Sequence, residues 1–237
     1  PNLASALRDP PGHLRVPKPA PPEGPRRVGI QAGHWLTAQV PPELWSIEHA
    51  TGASWNGVTE WRVNLDIAQR VAVLLRARGF AVDLLPTTVP PGYLADAFLA
   101  LHMDSDGVGV RSGYKLAHGS RRGPYEDALV RAVSEEYARA TGLNDDPLRI
   151  TRNMRGYYPF GWTRFVHSVA PHTPAAILEM GYLSSDHDRA LVLGQPDLVA
   201  GAIANGLVRF LDEVPQAKIF GDDLLVAAPR FPRTSPP

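Results

Sequence analysis

Four polar residues interrupt or terminate apolar segments in this 237-residue chain. His34 follows VGIQAG, Glu60 opens a helical pattern, His102 sits inside AFLALHMDS, and Glu179 sits inside AAILEMG. Open α/β sheets place their chemistry at such positions, the C-terminal ends of buried strands. A carboxylate in surroundings as apolar as AAILEMGYL loses several kcal/mol of hydration unless it is paired, protonated or close to a metal. Two histidines and a carboxylate are the nitrogen and oxygen donors that a catalytic Zn2+ takes in three positions, with water in the fourth. A second carboxylate nearby would then act as general base towards that water.

Other chemistries fail on inspection. Gly52-Ala53-Ser54-Trp55-Asn56 misses the last glycine of a nucleophile elbow, and Gly107, Gly109 and Gly113 are out of register for a dinucleotide loop. There is no GxxxxGK[ST] and no HExxH. The absence of cysteine excludes a thiol nucleophile, a thiolate-ligated metal and a disulfide scaffold. With 24 basic and 24 acidic residues and no basic run, no nucleic-acid or anionic-membrane surface is expected, and no apolar stretch is long enough to span a bilayer. The remaining histidines, His49, His118, His167, His172 and His187, read as surface or loop imidazoles, His167 and His172 standing just before the Glu179 strand. Asp104 and Asp106 follow His102 closely, as partners of its site or as loop caps.

Positioning these residues requires an alternation of strands and helices. Residues 28–32, 80–85, 97–103, 113–117 and 175–180 read as strands; residues 59–79, 125–140, 186–192 and 196–214 read as helices, the first with Thr59 as N-cap and Gly79 as terminator. The expected fold is α/β: a single domain with a twisted, mostly parallel or mixed central sheet of about six strands flanked by helices. Thirteen of the 24 prolines crowd into residues 1–25 and 215–237, so residues 1–26 are expected as a proline-rich linker, 27–214 as the catalytic domain and 215–237 as a tail, each end being either extended linker or loosely docked segment. Residues 152–167 interleave Arg152, Arg155 and Arg164 with Tyr157, Tyr158, Phe160, Trp162 and Phe165, either as a ligand groove or as a lid packed by its own rings.

In order along the chain, Gly33-His34, Glu60 with Asn64-Leu65-Asp66-Ile67-Ala68, Leu101-His102 and Leu178-Glu179-Met180-Gly181-Tyr182-Leu183-Ser184 resemble the motifs of the Amidase_3 family, the zinc-dependent N-acetylmuramoyl-L-alanine amidases of the bacterial cell wall. The likeness covers nearly all of residues 27–213. Departures fall beside the motif residues: Trp35-Leu36 where many relatives have a second glycine, Met103-Asp104 after His102, and Ser185-Asp186 at the end of the last motif.

The resemblance implies one Zn2+ held by His34, Glu60 and His102, with Glu179 as the catalytic carboxylate. It implies hydrolysis of the amide joining N-acetylmuramic acid to L-alanine in peptidoglycan, with the stem peptide and glycan as partners. Arg155 is expected to read a stem carboxylate. Another zinc amidohydrolase or peptidase of similar fold, or a wall-binding relative without catalysis, are the alternatives. A monomer is expected, working outside the cytoplasm once an N-terminal signal or anchor, not included in this chain, has been removed; the proline at position 1 fits a processed or truncated product.

Overall fold

The computed structural model describes residues 10–120 and 123–228. The outermost parts of both expected terminal segments, with Pro1, Pro229, Pro232, Pro236 and Pro237, lie outside the described residues. In chain order the elements are β1 (His13–Val16), β2 (Arg27–Ala32), β3 (Ser54–Trp55), β4 (Val58–Thr59), α1 (Glu60–Arg76), β5 (Ala81–Leu85), β6 (Ala97–Asp104), β7 (Lys115–His118), α2 (Glu126–Thr141), α3 (Arg152–Arg155), β8 (Ala175–Tyr182), α4 (Asp186–Gly194), α5 (Pro196–Glu213), α6 (Gln216–Ile219) and β9 (Leu224–Ala227).

The central sheet has the order β5-β2-β6-β8-β7. Its first four strands run parallel and β7 closes the edge antiparallel to β8, giving a mixed sheet of five strands where about six were expected. Helices α1, α2 and α5 cover one face. Val63, Ile67, Val71 and Leu75 of α1 recur every four residues and are buried there against Val28 and Ile30 of β2 and Leu99 and Leu101 of β6. Thr59 stands at the N-cap of α1 as expected, but its side chain makes no capping bond; the helix entry is held by the Glu60 amide donating to the Ala53 carbonyl at 2.9 Å.

The opposite face is covered by irregular chain. Tyr93 and Val89 precede β6, Met154 and Val169 precede β8, and they pack on Phe98 and Ala100 of β6 and Ile177 of β8. Strand residues alternate between the two faces, so Leu99, Leu101 and Met103 belong to the helix side while Phe98, Ala100 and His102 look the other way. The same alternation on β8 sends Leu178 and Met180 to the helices and leaves Ile177 and Glu179 on the irregular side. The functional face is therefore the one without long helices.

The two ends of the described chain meet. Strand β1 pairs antiparallel with β9, from His13 opposite Ala227 to Val16 opposite Leu224, and Lys18 bonds through its backbone amide to Asp223 and through Nζ to the Gly221 carbonyl, each at 3.0 Å. Val226 is buried in this arrangement while Leu225 is exposed. Proline composition gave no hint of this pairing: the apolar run of β9 shows that the tail can pack, but its partner β1 lies more than 200 residues away and has no such run. Among the described residues no single helix is long and apolar enough to cross a membrane.

Candidate metal centre

A row of side chains crosses the sheet at the C-terminal ends of its parallel strands. His102 of β6 is in register with Glu179 of β8, which is in register with Lys115 of β7. On the other side of His102, the Gly33 amide donates to the Leu101 carbonyl at 3.0 Å, extending β2 by one residue. Glycine is required there: a Cβ on Gly33 would lie 2.3 Å from Cε1 and Nε2 of His102. The chain then turns sharply, and His34 adopts a left-handed backbone (φ 63°), a conformation that non-glycine residues rarely hold outside functional or strained turns.

This turn sends His34 towards Glu60 at the start of α1. His34 Nδ1 lies 2.6 Å from the Ala50 carbonyl, which can only accept, so Nδ1 carries the proton and the lone pair of Nε2 opens into the gap that separates it from Glu60 Oε1, 3.5 Å away. Glu60 is buried, and its carboxylate is pinned. Oε2 accepts from the Ala53 amide at 2.8 Å; Oε1 accepts from Asn64 Nδ2 and from the Met103 amide, both at 3.2 Å, and meets His102 Nδ1 at 3.0 Å. Asn64 also donates to the Gly33 carbonyl at 3.0 Å, tying α1 to the end of β2. A Cβ on Gly52 would fall 2.3 Å from Glu60 Oε2, so this wall of the site also depends on glycine.

Charges follow from these contacts. Burial opposes ionisation of Glu60, but the hydrogen bond and charge of His102, with His34 and the Ala53 amide, outweigh it and hold the carboxyl well below its ordinary range. Burial likewise disfavours charge on His102, and Glu60 reverses this, raising its pKa. For His34 burial prevails and the pKa falls, leaving a neutral imidazole. One donor atom from each of His34, Glu60 and His102 lies within 4.8 Å of the others. Two imidazoles and a carboxylate, converging without a thiolate, match the donors that a catalytic zinc ion takes.

Glu179 adds a second carboxylate, one oxygen of which has no partner among the described residues. Its Oε2 is enclosed and has no hydrogen-bond partner. Burial, with Glu60 and Asp104 adding their negative charge, pushes its pKa up to about 7 against the opposing pull of His102 and Lys115. An orphaned, enclosed carboxylate oxygen beside a convergent donor triad fits a site built around a cation and a water. Lys115 supplies the protein's own positive charge: it is 1% exposed, its ammonium bonds Asp104, and it lies 5.1 Å from the centre of the Tyr182 ring. Asp104 is thus a partner of Lys115, whereas Asp106 is a loop cap, accepting from the amides of Val108, Gly109, Val110 and Arg111 and from Ser184 Oγ.

A cavity of about 630 Å³ opens over this row. His34, His102, Lys115 and Glu179 form its floor, and Thr151, Asn153, Met154, Gly156, Tyr157 and Tyr158 form much of its wall. Between the two readings of residues 152–167, the rings pack on one another: Tyr157 stacks edge-on against Tyr158 and Phe160, and Tyr158 against Phe165, with centroids 4.9–6.3 Å apart. Tyr157 and Tyr158 also face the cavity, so the lid and the cavity wall are the same segment. Arg155 is exposed on α3, between wall residues Met154 and Gly156, and is not itself part of the cavity lining. His167 belongs elsewhere, bonded to Glu43 at 2.7 Å, and His118 meets Asp127 at 3.1 Å.

Gln31 and Lys115 escaped the sequence reading, while Asn64 entered it only as a motif residue and Tyr157 only as a groove or lid ring, neither as a partner of Glu60 or His102. The argument that drew attention to Glu179 applies equally to Gln31 and Lys115, polar residues in the buried strands VGIQA and KLAH. Tyr157 left no such mark, because folding alone brings its loop to His102.

The family description N-acetylmuramoyl-L-alanine amidase (Amidase_3) matches residues 28–209. Similar solved structures include CwlV from Bacillus (Paenibacillus) polymyxa var. colistinus, whose catalytic domain is 23% identical with a TM-score of 0.57 over 79% of this chain and 98% of that one. Ami1 of Mycobacterium smegmatis is 17% identical, with a TM-score of 0.58 over 80% of this chain and 98% of its own. AmiC2 of Nostoc punctiforme is 20% identical, with a TM-score of 0.55 over 80% and 98%. No curated protein sequence matches. With the family pattern running through β2, α1, β6 and β8, the strands and helix that carry His34, Glu60, His102 and Glu179, the chain belongs to the Amidase_3 family of N-acetylmuramoyl-L-alanine amidases, enzymes that hydrolyse the amide bond between N-acetylmuramic acid and L-alanine in peptidoglycan.

Proposed function

We propose that the chain cleaves this bond as a one-zinc enzyme, with His34, Glu60 and His102 holding the ion and Glu179 transferring the proton. The observation that carries this reading is the enclosed, unpartnered Oε2 of Glu179 beside the three convergent donors. When bound, zinc supplies Lewis acidity towards the amide carbonyl and lowers the pKa of water in the site. Glu179 accepts the proton released as a water oxygen bonds to the amide carbon. The same carboxyl returns that proton to the nitrogen as the carbon–nitrogen bond breaks, so the amine of the stem peptide leaves neutral.

The surrounding residues orient rather than react. Ala50 fixes the proton of His34, Asn64 and the Ala53 and Met103 amides fix Glu60, and Lys115 offsets part of the negative charge that Asp104 brings beside Glu179. The cavity is large enough for a stem peptide and its adjoining sugar to lie across the row, with Tyr157 and Tyr158 offering ring faces. Arg155, on the rim, reads a stem carboxylate in this proposal; Arg155→Ala should raise KM for stem-peptide substrates with kcat retained, and an unchanged KM would remove it from the binding surface. The enzyme acts as a monomer outside the cytoplasm, where its polymer substrate lies.

Metal analysis tests the assignment. Purified protein should hold one zinc ion per chain, lose muramyl-amide hydrolysis on chelation and regain it with zinc. Substitution of His34 or His102 should abolish the stoichiometry. Full activity in chelator-stripped protein would sink the reading.

A further inference from the structure

We infer that a chain of fixed hydrogen-bond directions, running from the Pro86 and Thr87 carbonyls through Gln31 and Tyr157, sets the tautomer of His102 and leaves Nδ1 as the nitrogen it offers to zinc. The inference rests on the zinc assignment proposed above.

The chain starts at two acceptors. Gln31 is fully buried on β2, and its Nε2 lies 2.6 Å from the Thr87 carbonyl and 3.2 Å from that of Pro86. Carbonyl oxygens only accept, so this end of the side chain is the amide NH2 and the other end is Oε1. Tyr157 donates its hydroxyl proton to that Oε1 at 2.9 Å. A phenol has a single proton. With it committed to Gln31, the Tyr157 oxygen can only accept from His102 Nε2, 3.1 Å away, and Nε2 must carry hydrogen.

The reverse arrangement is unfavourable. If Tyr157 donated to His102, its lone pairs would face those of Gln31 Oε1 at 2.9 Å, and a buried carbonyl would lose its partner.

Packing holds the geometry in place. Tyr157 meets the His102 ring edge-on, with centroids 5.3 Å apart and planes at 89°, and Gln31 Nε2 also bonds the Tyr158 hydroxyl at 2.9 Å. Gly33 lies against the His102 ring so closely that no larger residue fits. The opposite edge of the imidazole, Nδ1, faces Glu60 Oε1 at 3.0 Å inside the donor triad. His34 is fixed in the converse sense, its Nδ1 proton on Ala50 and its Nε2 towards the triad. Each imidazole is therefore committed by a neutral protein acceptor at its outer nitrogen, Nδ1 of His34 and Nε2 of His102, and turns the other nitrogen to Glu60 Oε1, the carboxylate that shares the triad. Gln31 and the Tyr157 hydroxyl are positioning groups that act through His102, whatever the Tyr157 ring face meets in the cavity.

The experiment uses the full chain and Zn2+. Long-range proton–nitrogen NMR of zinc-loaded, ¹⁵N-labelled wild type should show His102 protonated at Nε2 and metal-bound at Nδ1. Tyr157→Phe, which keeps the ring and removes the hydroxyl, should weaken zinc affinity by about 10–100-fold in competition with a chromophoric chelator. Metal binding through Nε2 of His102, or a Tyr157→Phe variant that binds zinc as tightly as wild type, would overturn the inference while leaving the zinc assignment standing. Failure of the wild type to bind zinc would overturn both. The NMR measurement on wild type needs no variant to fold.

Discussion

Glu179 stands directly opposite His102 in the parallel register of β6 and β8, on the same face of the sheet, yet it forms no hydrogen bond through its enclosed Oε2. The strand carrying the proposed ligand His102 and the strand carrying the proposed base Glu179 are thereby held one strand spacing apart. Glu179→Gln preserves shape and removes the proton acceptor. Zinc content should be unchanged while kcat falls by about 10²–10⁴-fold. Near-normal turnover in a zinc-loaded sample would mean that another group accepts the proton.

The same substitution has a pH signature in zinc-free protein. The folded-state pKa of Glu179 is raised from 4.5 to about 7, so between these values the unfolded chain ionises while the folded one resists, and stability falls as pH rises through this window. Glutamine imitates the neutral form throughout. The melting temperature of Glu179→Gln relative to wild type should rise from pH 4.5 to about 7 and level off above it. A difference independent of pH across that window would show that the carboxyl ionises freely in the folded protein.

Gly33 offers a test of close packing with little backbone cost, since its conformation is not left-handed. Gly33→Ala would place a methyl 2.3 Å from His102, and the ring must move out of its place between Glu60 and Tyr157. Far-ultraviolet circular dichroism should be retained, with zinc affinity at least about tenfold weaker. Unchanged affinity would show that the His102 ring can shift without loss.

Lys115 is the buried cation of the site, and its removal leaves Asp104 unpaired beside Glu179. Lys115→Met should cost about 3 kcal/mol in denaturant unfolding, at the lower end for a broken buried pair because the Asp104 side chain is 29% exposed. Adding Asp104→Asn should recover part of the loss. Equal stability of the single and double variants would mean the pair is not coupled.

Much of this arrangement was legible because desolvation leaves a mark on sequence. Glu179 in AAILEMG and His102 in AFLALHM are polar exceptions in segments that period-two alternation and apolar runs identify as buried strands. Their convergence with His34 and Glu60 was not legible from those exceptions alone. It depends on the register that sets His102 against Glu179 and on the left-handed turn at His34. Tyr157 comes from an irregular segment whose rings could equally have packed on themselves, and it does both. The pairing of β1 with β9 escaped for a related reason: the apolar LLVA of β9 shows that the segment can pack, not that it meets a strand more than 200 residues away.

Digestion of purified peptidoglycan by the zinc-loaded enzyme, with analysis of the new chain ends, tests the central claim most directly. New L-alanine amino termini without new reducing sugar ends are expected, and Glu179→Gln should produce neither. Reducing ends, or new amino termini on residues other than L-alanine, would contradict the account.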